Sequence, residues 1–350
     1  MHTLLGLFLH AVGGFCAASF YLPINRVKNW AWETYWLVQG FASWIIAPWL
    51  LSWLTVPQGQ LMDILALAPA SNVFWSCFFG ALWGLGGLTF GLSLRYLGIS
   101  LGQSVALGFC TAFGTMVPPI WYGELSRLFG TVSGLVTLIG VAVCLAGIAV
   151  VGYAGTLKEK SLSEAEKKAA IREFALKKGL LIAVFSGIMS SCMAFAISAG
   201  APIRDLAAEL GTDPIFSNNP VYIFIMFGGF LSNFTWCMIL GVRNRTLSDY
   251  TSLRGAALAR NLFYSWLGGT TWYFQFFFYG MGERQLGEAF SFASWSIHMA
   301  FIIAFSNMWG LILKEWLGCR KSIVTILMIG ILVLIASTFI IGWGTYLESP

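Results

Sequence analysis

The chain has 350 residues, of which 58% are hydrophobic, 16% aromatic and only 10% charged, and its mean hydropathy is +0.77. A soluble domain carries about a quarter of its residues as charges, so this composition excludes a soluble globular protein and points to a chain built for lipid. The formal charge of +5 sits in loops between apolar runs and calls for no nucleic-acid partner.

Apolar runs of about 20 residues match the thickness of a bilayer. In chain order they cover 3–24, 34–56, 71–95, 98–121, 131–154, 178–200, 217–241, 257–281, 286–313 and 321–346, which predicts an all-α integral membrane protein with ten transmembrane helices. The first run reads as a span and not as a cleaved leader, because nothing basic precedes it and Arg26 and Lys28 follow it. Between the fifth and sixth runs, "LKEKSLSEAEKKAAIREFALKK" is the longest polar stretch and reads as a solvated, helical connector. Pro23, Pro48, Pro118 and Pro119 are expected to bend or break their helices. Gly80/Gly84, Gly87/Gly91, Gly98/Gly102 and Gly130/Gly134, each spaced by four, are expected to let helix backbones meet.

The basic residues set an orientation. Loops after runs 1, 3, 5, 7 and 9 hold 17 of the 20 Lys and Arg, and the opposite loops hold only Arg127, Arg204 and Arg284. The positive-inside rule makes the first set cytoplasmic and places both termini in the periplasm. Five runs on each side of the connector make any duplicated unit inverted relative to its copy. Traces of duplication are present: "WGLGGLTFGLSLRYLG" (83–98) matches "LGGTTWYFQFFFYGMG" (267–282) at an offset of 184, and "VVGYAGT" (150–156) matches "IIGWGT" (340–345) with Gly152 on Gly342. The predicted division is a first five-helix repeat over 1–154, a cytoplasmic connector over 155–177 and a second repeat over 178–350.

Seven cysteines are scattered singly, without the spacing of a metal or redox site. Nucleotide-binding, zinc-protease and EF-hand motifs are missing, so the sequence gives no sign of a metal, a cofactor, an enzymatic constellation or transport powered by the chain's own nucleotide hydrolysis.

Four blocks are more specific than membrane composition: "GGFCAASFYLPINRVKNWAWETYW", "GALWGLGGLTFGLSLRYLGIS", "LGGTTWYFQFFFYGMG" and "SFASWSIHMAFIIAFSNMWGLILKEW". They resemble the bacterial L-rhamnose–proton symporter family over nearly the whole chain. The resemblance implies membership of the drug/metabolite transporter superfamily, ten helices as two inverted five-helix repeats, and a multi-pass location in the bacterial inner membrane. It also implies import of L-rhamnose, or a related deoxyhexose, together with protons. The alternative within that superfamily is an exporter or exchanger of another small metabolite. One departure is the turn "GERQLGEAF", whose Glu283 and Glu288 do not fit the expected polar pattern and are not carried over as site residues.

A deoxyhexose needs aromatic plates for its CH face and polar groups to replace lost water. Polar groups inside the runs are few and therefore informative: Gln39, Gln103, Asn233, Gln275, His298 and Asn307. Trp272 precedes Gln275 by three residues and Trp295 precedes His298 by three, a step that puts both members of a pair on one helix face. The candidate sugar ligands are Gln275, Trp272, Trp295, His298, Gln39, Gln103 and Asn233, with Tyr21 from the "FYLP" block. Proton coupling needs a group able to gain and lose a proton. Glu33, among Trp30, Trp32, Tyr35 and Trp36, is the first candidate, because scarce water disfavours the charged form of a carboxyl. His10 and His298 are the next, since imidazole titrates near neutral pH. Arg95 and Tyr96, at the cytoplasmic turn between runs 3 and 4, read as gate or anchor.

Overall fold

A computed structural model describes residues 2–97, 99–121, 123–161, 176–287, 293–314 and 316–348, with the backbone alone at 94, 95, 99–101, 103, 104, 176 and 348. Among these the protein is helical, with no strand. Eight helical stretches are long and apolar enough to cross a membrane: His2–Ile24, Trp32–Thr55, Ala70–Ser93, Val132–Ser161, Lys177–Glu209, Pro214–Asn244, Ala293–Ile312 and Lys321–Leu347.

Several runs are broken into pieces. The first is α1 (His2–Ser19) followed by the single turn α2 (Tyr21–Ile24), which contains Pro23. The second is α3 (Trp32–Gly40), a π-helical turn over Phe41–Ile46, and α4 (Ala47–Thr55), which takes Pro48 into its first turn. A π turn widens the helix by one residue, and here it makes room for Trp44, whose ring lies against Gly40 where a Cβ would sit. The short α5 (Gln60–Leu67) leads to α6 (Ala70–Leu97) and α7 (Ile99–Trp121), with Pro118 and Pro119 in the last turn of α7. Then come α8 (Leu125–Gly130) and α9 (Val132–Ser161). Most of the connector expected over 155–177 lies outside the described residues.

In the second half, α10 (Leu176–Ala199) and α11 (Ala201–Glu209) form one stretch broken at Gly200, with Pro202 just beyond, much as Pro23 follows α1. A 3-10 turn (Pro214–Phe216) precedes α12 (Asn219–Asn244), and the single turn α13 (Asp249–Ser252) precedes α14 (Gly255–Leu286). Last are α15 (Ala293–Ile312) and α16 (Lys321–Glu348). The run expected to end at 281 continues for five more residues, because "GERQL" holds good helix formers and Gly287, at φ +88°, is the first residue free to leave the helix. Glu283 and Arg284 are thereby residues of a helix and not of a loop.

The main packing partners are α9 with α16, α6 with α10 and α12, α1 with α14 and α15, and α7 with α10. Glycines set how closely these pairs approach. Gly80 and Gly84 of α6 lie on the α12 backbone and side chains, and Gly228 of α12 lies on the carbonyl of Cys77. Gly87 and Gly91, expected to work the same way, have open space around them, as does Gly130, so only part of the small-residue pattern marks a contact. Where α9 meets α16, a Cβ on Gly140 would be 2.9 Å from the nitrogen of Ile341, and one on Gly330 would be 3.0 Å from that of Val151. The two helices therefore run antiparallel. The largest buried cluster joins Trp44, Tyr222, Tyr273, Phe276, Tyr279 and Trp295 with aliphatic residues of α10, α11 and α12.

Candidate functional site

A cavity of about 500 Å³ opens at the end of the bundle that carries Arg204 and Arg284. Ligand pockets commonly fall at about 300–1,000 Å³. The ends of α7, α10, α11, α14 and α15 enclose it, and Pro118, Glu124, Arg204, Tyr279, Glu283 and Trp295 are on its wall.

Behind Tyr279 and Trp295 is a nest of rings. The His10 ring lies edge-on to Tyr279 at 5.2 Å and to His298 at 5.8 Å, and Tyr279 meets His298 at 5.2 Å and Trp295 at 5.8 Å. Two glycines make the nest possible: a Cβ on Gly13 would reach 3.1 Å from the His298 ring, and one on Gly282 would reach 3.0 Å from His10 Nε2. Trp295 is anchored by its indole N–H, which donates to the Cys110 carbonyl at 3.1 Å. Both histidines are fully buried, with neither ring nitrogen of His10 partnered, and the His298 ring faces the His10 backbone carbonyl. Leaving a buried polar atom unpaired costs about 1–3 kcal/mol.

Further along the bundle the aromatic rings continue. Trp272 stacks on Trp83 at 5.5 Å and meets Trp44 at 6.0 Å, and Trp44 meets Trp36 at 6.2 Å. Trp36 donates its indole N–H to Asn233 Oδ1 at 3.0 Å, and Asn233 Nδ2 donates to the Gly229 carbonyl at 2.8 Å. Gln39 is buried with Oε1 unpartnered. Gln275 donates Nε2 back to the carbonyl of Trp272 at 3.0 Å.

On the wall of the cavity, Glu283 accepts a hydrogen bond from Asn218 Nδ2 at 2.8 Å. Tyr222, one turn along α12 from Asn218, is fully buried with its hydroxyl unpartnered. That hydroxyl lies 2.9 Å from where a Cβ on Gly280 would be, one turn from Glu283.

At the opposite, basic end, hydrogen bonds join separate segments of the chain. Glu33 Oε1 accepts from Asn244 Nδ2 at 3.0 Å and Thr246 Oγ1 at 2.7 Å. Asp249 Oδ2 accepts from the Ala31 N–H at 2.7 Å and Thr34 Oγ1 at 3.1 Å. Asn261 donates to the Lys28 carbonyl at 2.7 Å and accepts from the Lys28 N–H at 3.3 Å. All six bonds tie the segment around α3 to α12, α13 and α14. Beside them, burial, then Cys237 and the Glu33 and Asp249 carboxylates, push the Tyr250 phenol up to about 12, so Tyr250 stays neutral at physiological pH.

The comparisons with known proteins cover the whole assembly. A family model described as L-rhamnose-proton symport protein (RhaT) matches residues 2–346. An L-rhamnose-proton symporter of Mannheimia succiniciproducens is 41% identical over 345 residues, 97% of this chain and 98% of the relative. Symporters of the same description from Yersinia pestis and Yersinia pseudotuberculosis are 40% identical over the same extent. The chain belongs to the L-rhamnose-proton symport protein family.

In this member of the symport family, the residues expected from sequence fall into three groups. Trp295, His298 and His10 come together at the cavity. Trp272, Gln275, Gln39 and Asn233 belong to the aromatic column, and Gln275 is turned onto its own helix. Glu33 is at the basic end, away from the cavity wall. Tyr21 is half exposed against Phe20, with ring centroids 3.9 Å apart, and is not on that wall. Tyr96 accepts a hydrogen bond from Lys178 Nζ at 2.9 Å, with the ammonium 4.6 Å from its ring centre. The side chains of Arg95 and Gln103, and all of Glu288, lie outside the described residues. Sequence reasoning did not single out Tyr279, Asn218 or Tyr222, and it set Glu283 aside. A sign of Tyr279 was available, since it is four residues after Gln275 on the face already singled out.

Proposed function

We propose that the protein imports L-rhamnose across the bacterial inner membrane together with protons, by alternating access between two inverted five-helix repeats. The observation that carries this reading is a cavity of small-molecule size, walled by Tyr279 and Trp295, open at one end of a bundle whose other end is tied together by hydrogen bonds. An importer waiting for sugar from outside has this form.

The repeat division follows the bounds 1–154, 155–177 and 178–350, with both termini periplasmic by the distribution of Lys and Arg. On that orientation the cavity faces the periplasm. Support for an inverted pair comes from α9 and α16. A shift of 190 residues carries Gly140 onto Gly330 and Val151 onto Ile341, so the Gly140–Ile341 contact becomes the Gly330–Val151 contact. Equivalent helices that run antiparallel and meet reciprocally are what a two-fold axis in the membrane plane produces. The α1–α14 and α1–α15 contacts likewise have their counterparts in α10–α6 and α10–α7. Eight stretches meet the criteria for a span; α7 and the more polar, 32-residue α14 complete the ten.

The sugar takes the ring nest first. Trp295 and Tyr279 face its CH groups, and the ring nitrogens of His10 and His298 meet its hydroxyls. Trp272, Gln275, Gln39 and Asn233 line its way toward the basic end. Glu33 serves the inner gate with Asn244 and Thr246, and Tyr96 flanks it. Proton movement then falls to groups near the cavity, where the two histidines lie. The drive is sufficient: one charge crossing 100 mV releases about 2.3 kcal/mol and each pH unit adds about 1.36 kcal/mol. Together they sustain a neutral sugar at a few hundredfold excess inside. The deciding experiment adds L-rhamnose outside proteoliposomes in weak buffer. Symport makes the exterior more alkaline, whereas sugar uptake with no pH change overturns the reading.

A further inference from the structure

Among the described residues two acidic side chains are buried, Glu33 and Glu283, each 6% exposed. Their partners Asn244 and Asn218 are 26 residues apart along α12, which at 1.5 Å per residue separates them by about 39 Å. Glu33 has two neutral donors on one oxygen at the basic end. Glu283 has the cavity.

We propose that Glu283, held by Asn218 beside the Tyr222 hydroxyl, is the carboxyl that takes up the symported proton from the periplasm. The proposal rests on the symport reading above and deepens it. Glu283 is one turn from Tyr279, so the acid and the aromatic wall share a face of α14 and one cavity. Both charge states have a local partner. The carboxylate accepts from Asn218. The neutral acid gains an O–H donor, and the oxygen of the Tyr222 hydroxyl, which has no other partner, is at hand to accept it.

Among the described residues, further charged and titratable groups surround this pair, with Tyr273 edge-on to Tyr222. Tyr279 and Arg284 come from α14, Arg204 from α11, Glu124 from the turn after α7, and His10 of α1 lies across Gly282. With the cavity open, water supports the carboxylate. When the outer ends close, that water leaves, and an ionised acid in a dry pocket is strongly disfavoured. Closure therefore favours a neutral Glu283, with a sugar in place of the expelled water. The proton moves from periplasmic water to a carboxyl oxygen, travels as the acid O–H, and returns to cytoplasmic water after the repeats rock. His10 and His298 lie between this acid and the deeper aromatic column.

The test uses the full chain in proteoliposomes with L-rhamnose. In Glu283→Gln the amide cannot ionise, so the accumulation ratio under an acid-outside gradient should fall from above about tenfold to one, whatever rate of counterflow is left. Sugar-induced alkalinisation should vanish, and sugar affinity should lose its dependence on pH. Accumulation above one in this variant overturns the proposal. Where the variant moves no sugar at all, Glu283→Asp decides. Retained alkalinisation with a displaced pH profile supports the role, and retained sugar binding without alkalinisation overturns it. If the unaltered protein moves no protons with sugar, the symport reading itself fails, which is a different outcome.

Discussion

Glu33 and Glu283 are equally shielded from solvent, at 6% exposure each, yet their surroundings are opposite. Glu33 knots α3 to the far end of α12 at the basic end of the bundle. Glu283 borders the open cavity, with Asn218 donating to it and the Tyr222 phenol nearby. Burial alone therefore does not designate a proton carrier. Access to water in one conformation and loss of it in the other does, and on the proposal above Glu283 is the acid placed for that. The other is placed to make one conformation last.

The largest expected effect tests whether the outer end is built around its rings. Trp295→Ala removes a buried indole, its bond to Cys110 and its edge contact with Tyr279. A buried Trp→Ala change costs about 3–5 kcal/mol, so the thermal midpoint in detergent should fall sharply and L-rhamnose binding should weaken. Trp295→Phe keeps an aromatic face and should recover most of the affinity. If Trp295→Ala binds sugar unchanged in calorimetry, the nest is not the sugar's seat.

Next is the knot around Glu33. Glu33→Ala removes the acceptor of Asn244, which is exposed, and Thr246, which is partly so, at about 1 kcal/mol because water takes over the bonds. That is enough to move a two-state equilibrium by about fivefold toward the form open at the basic end. Buried Cys237 of α12 reports it, because it lies within electrostatic reach of Glu33. Labelling of Cys237 by a membrane-impermeant thiol reagent supplied inside vesicles should speed up. Glu33→Gln retains an acceptor oxygen and should keep both slow labelling and sugar accumulation. Should Glu33→Gln lose accumulation while Glu283→Gln keeps it, the roles assigned to the two acids are reversed.

How much of this the sequence disclosed follows from how local the physics is. Spans are legible because a bilayer demands some 20 apolar residues in a row, and the long helices fall close to where hydropathy puts them. The Trp295–His298 face was legible because a step of three on a helix is local geometry. The end of α14 was not, since Glu283, Arg284 and Gln285 terminate an apolar window without terminating a helix. The partners of the two acids were not legible at all. Asn218 and Glu283 are 65 residues apart, and Glu33 and Asn244 are 211 apart, and nothing in either stretch names the other. Trp272 and Gln275 show the limit of facewise reasoning: the spacing is right, but the amide satisfies itself on its own backbone.

A further effect sharpens the account of the nest. His298→Phe keeps a ring of similar shape against Tyr279 while removing both ring nitrogens. Protein stability should change little, because a contact with the His10 backbone carbonyl is exchanged for apolar burial. Sugar affinity should fall by about tenfold, the value of one hydrogen bond of about 1.4 kcal/mol. Calorimetry on purified protein separates the two quantities, and unchanged affinity would remove His298 from the sugar's ligands.

The smallest effect lies at the surface of the basic end, where Lys178 reaches over Tyr96. Exposed cation–π contacts contribute about 0.5–1 kcal/mol, and this one joins α6 to α10, one helix from each proposed repeat. Such a link can stay intact only while those two helices keep their relative position. Lys178→Ala should therefore leave sugar affinity unchanged and alter transport rate by less than about fivefold. The direction of that change is informative. A faster rate means that the contact belongs to the sealed conformation and is broken at each turnover, as the Glu33 knot is on this account. A slower rate means that α6 and α10 move as one body, and the hinge between the repeats must then be sought elsewhere.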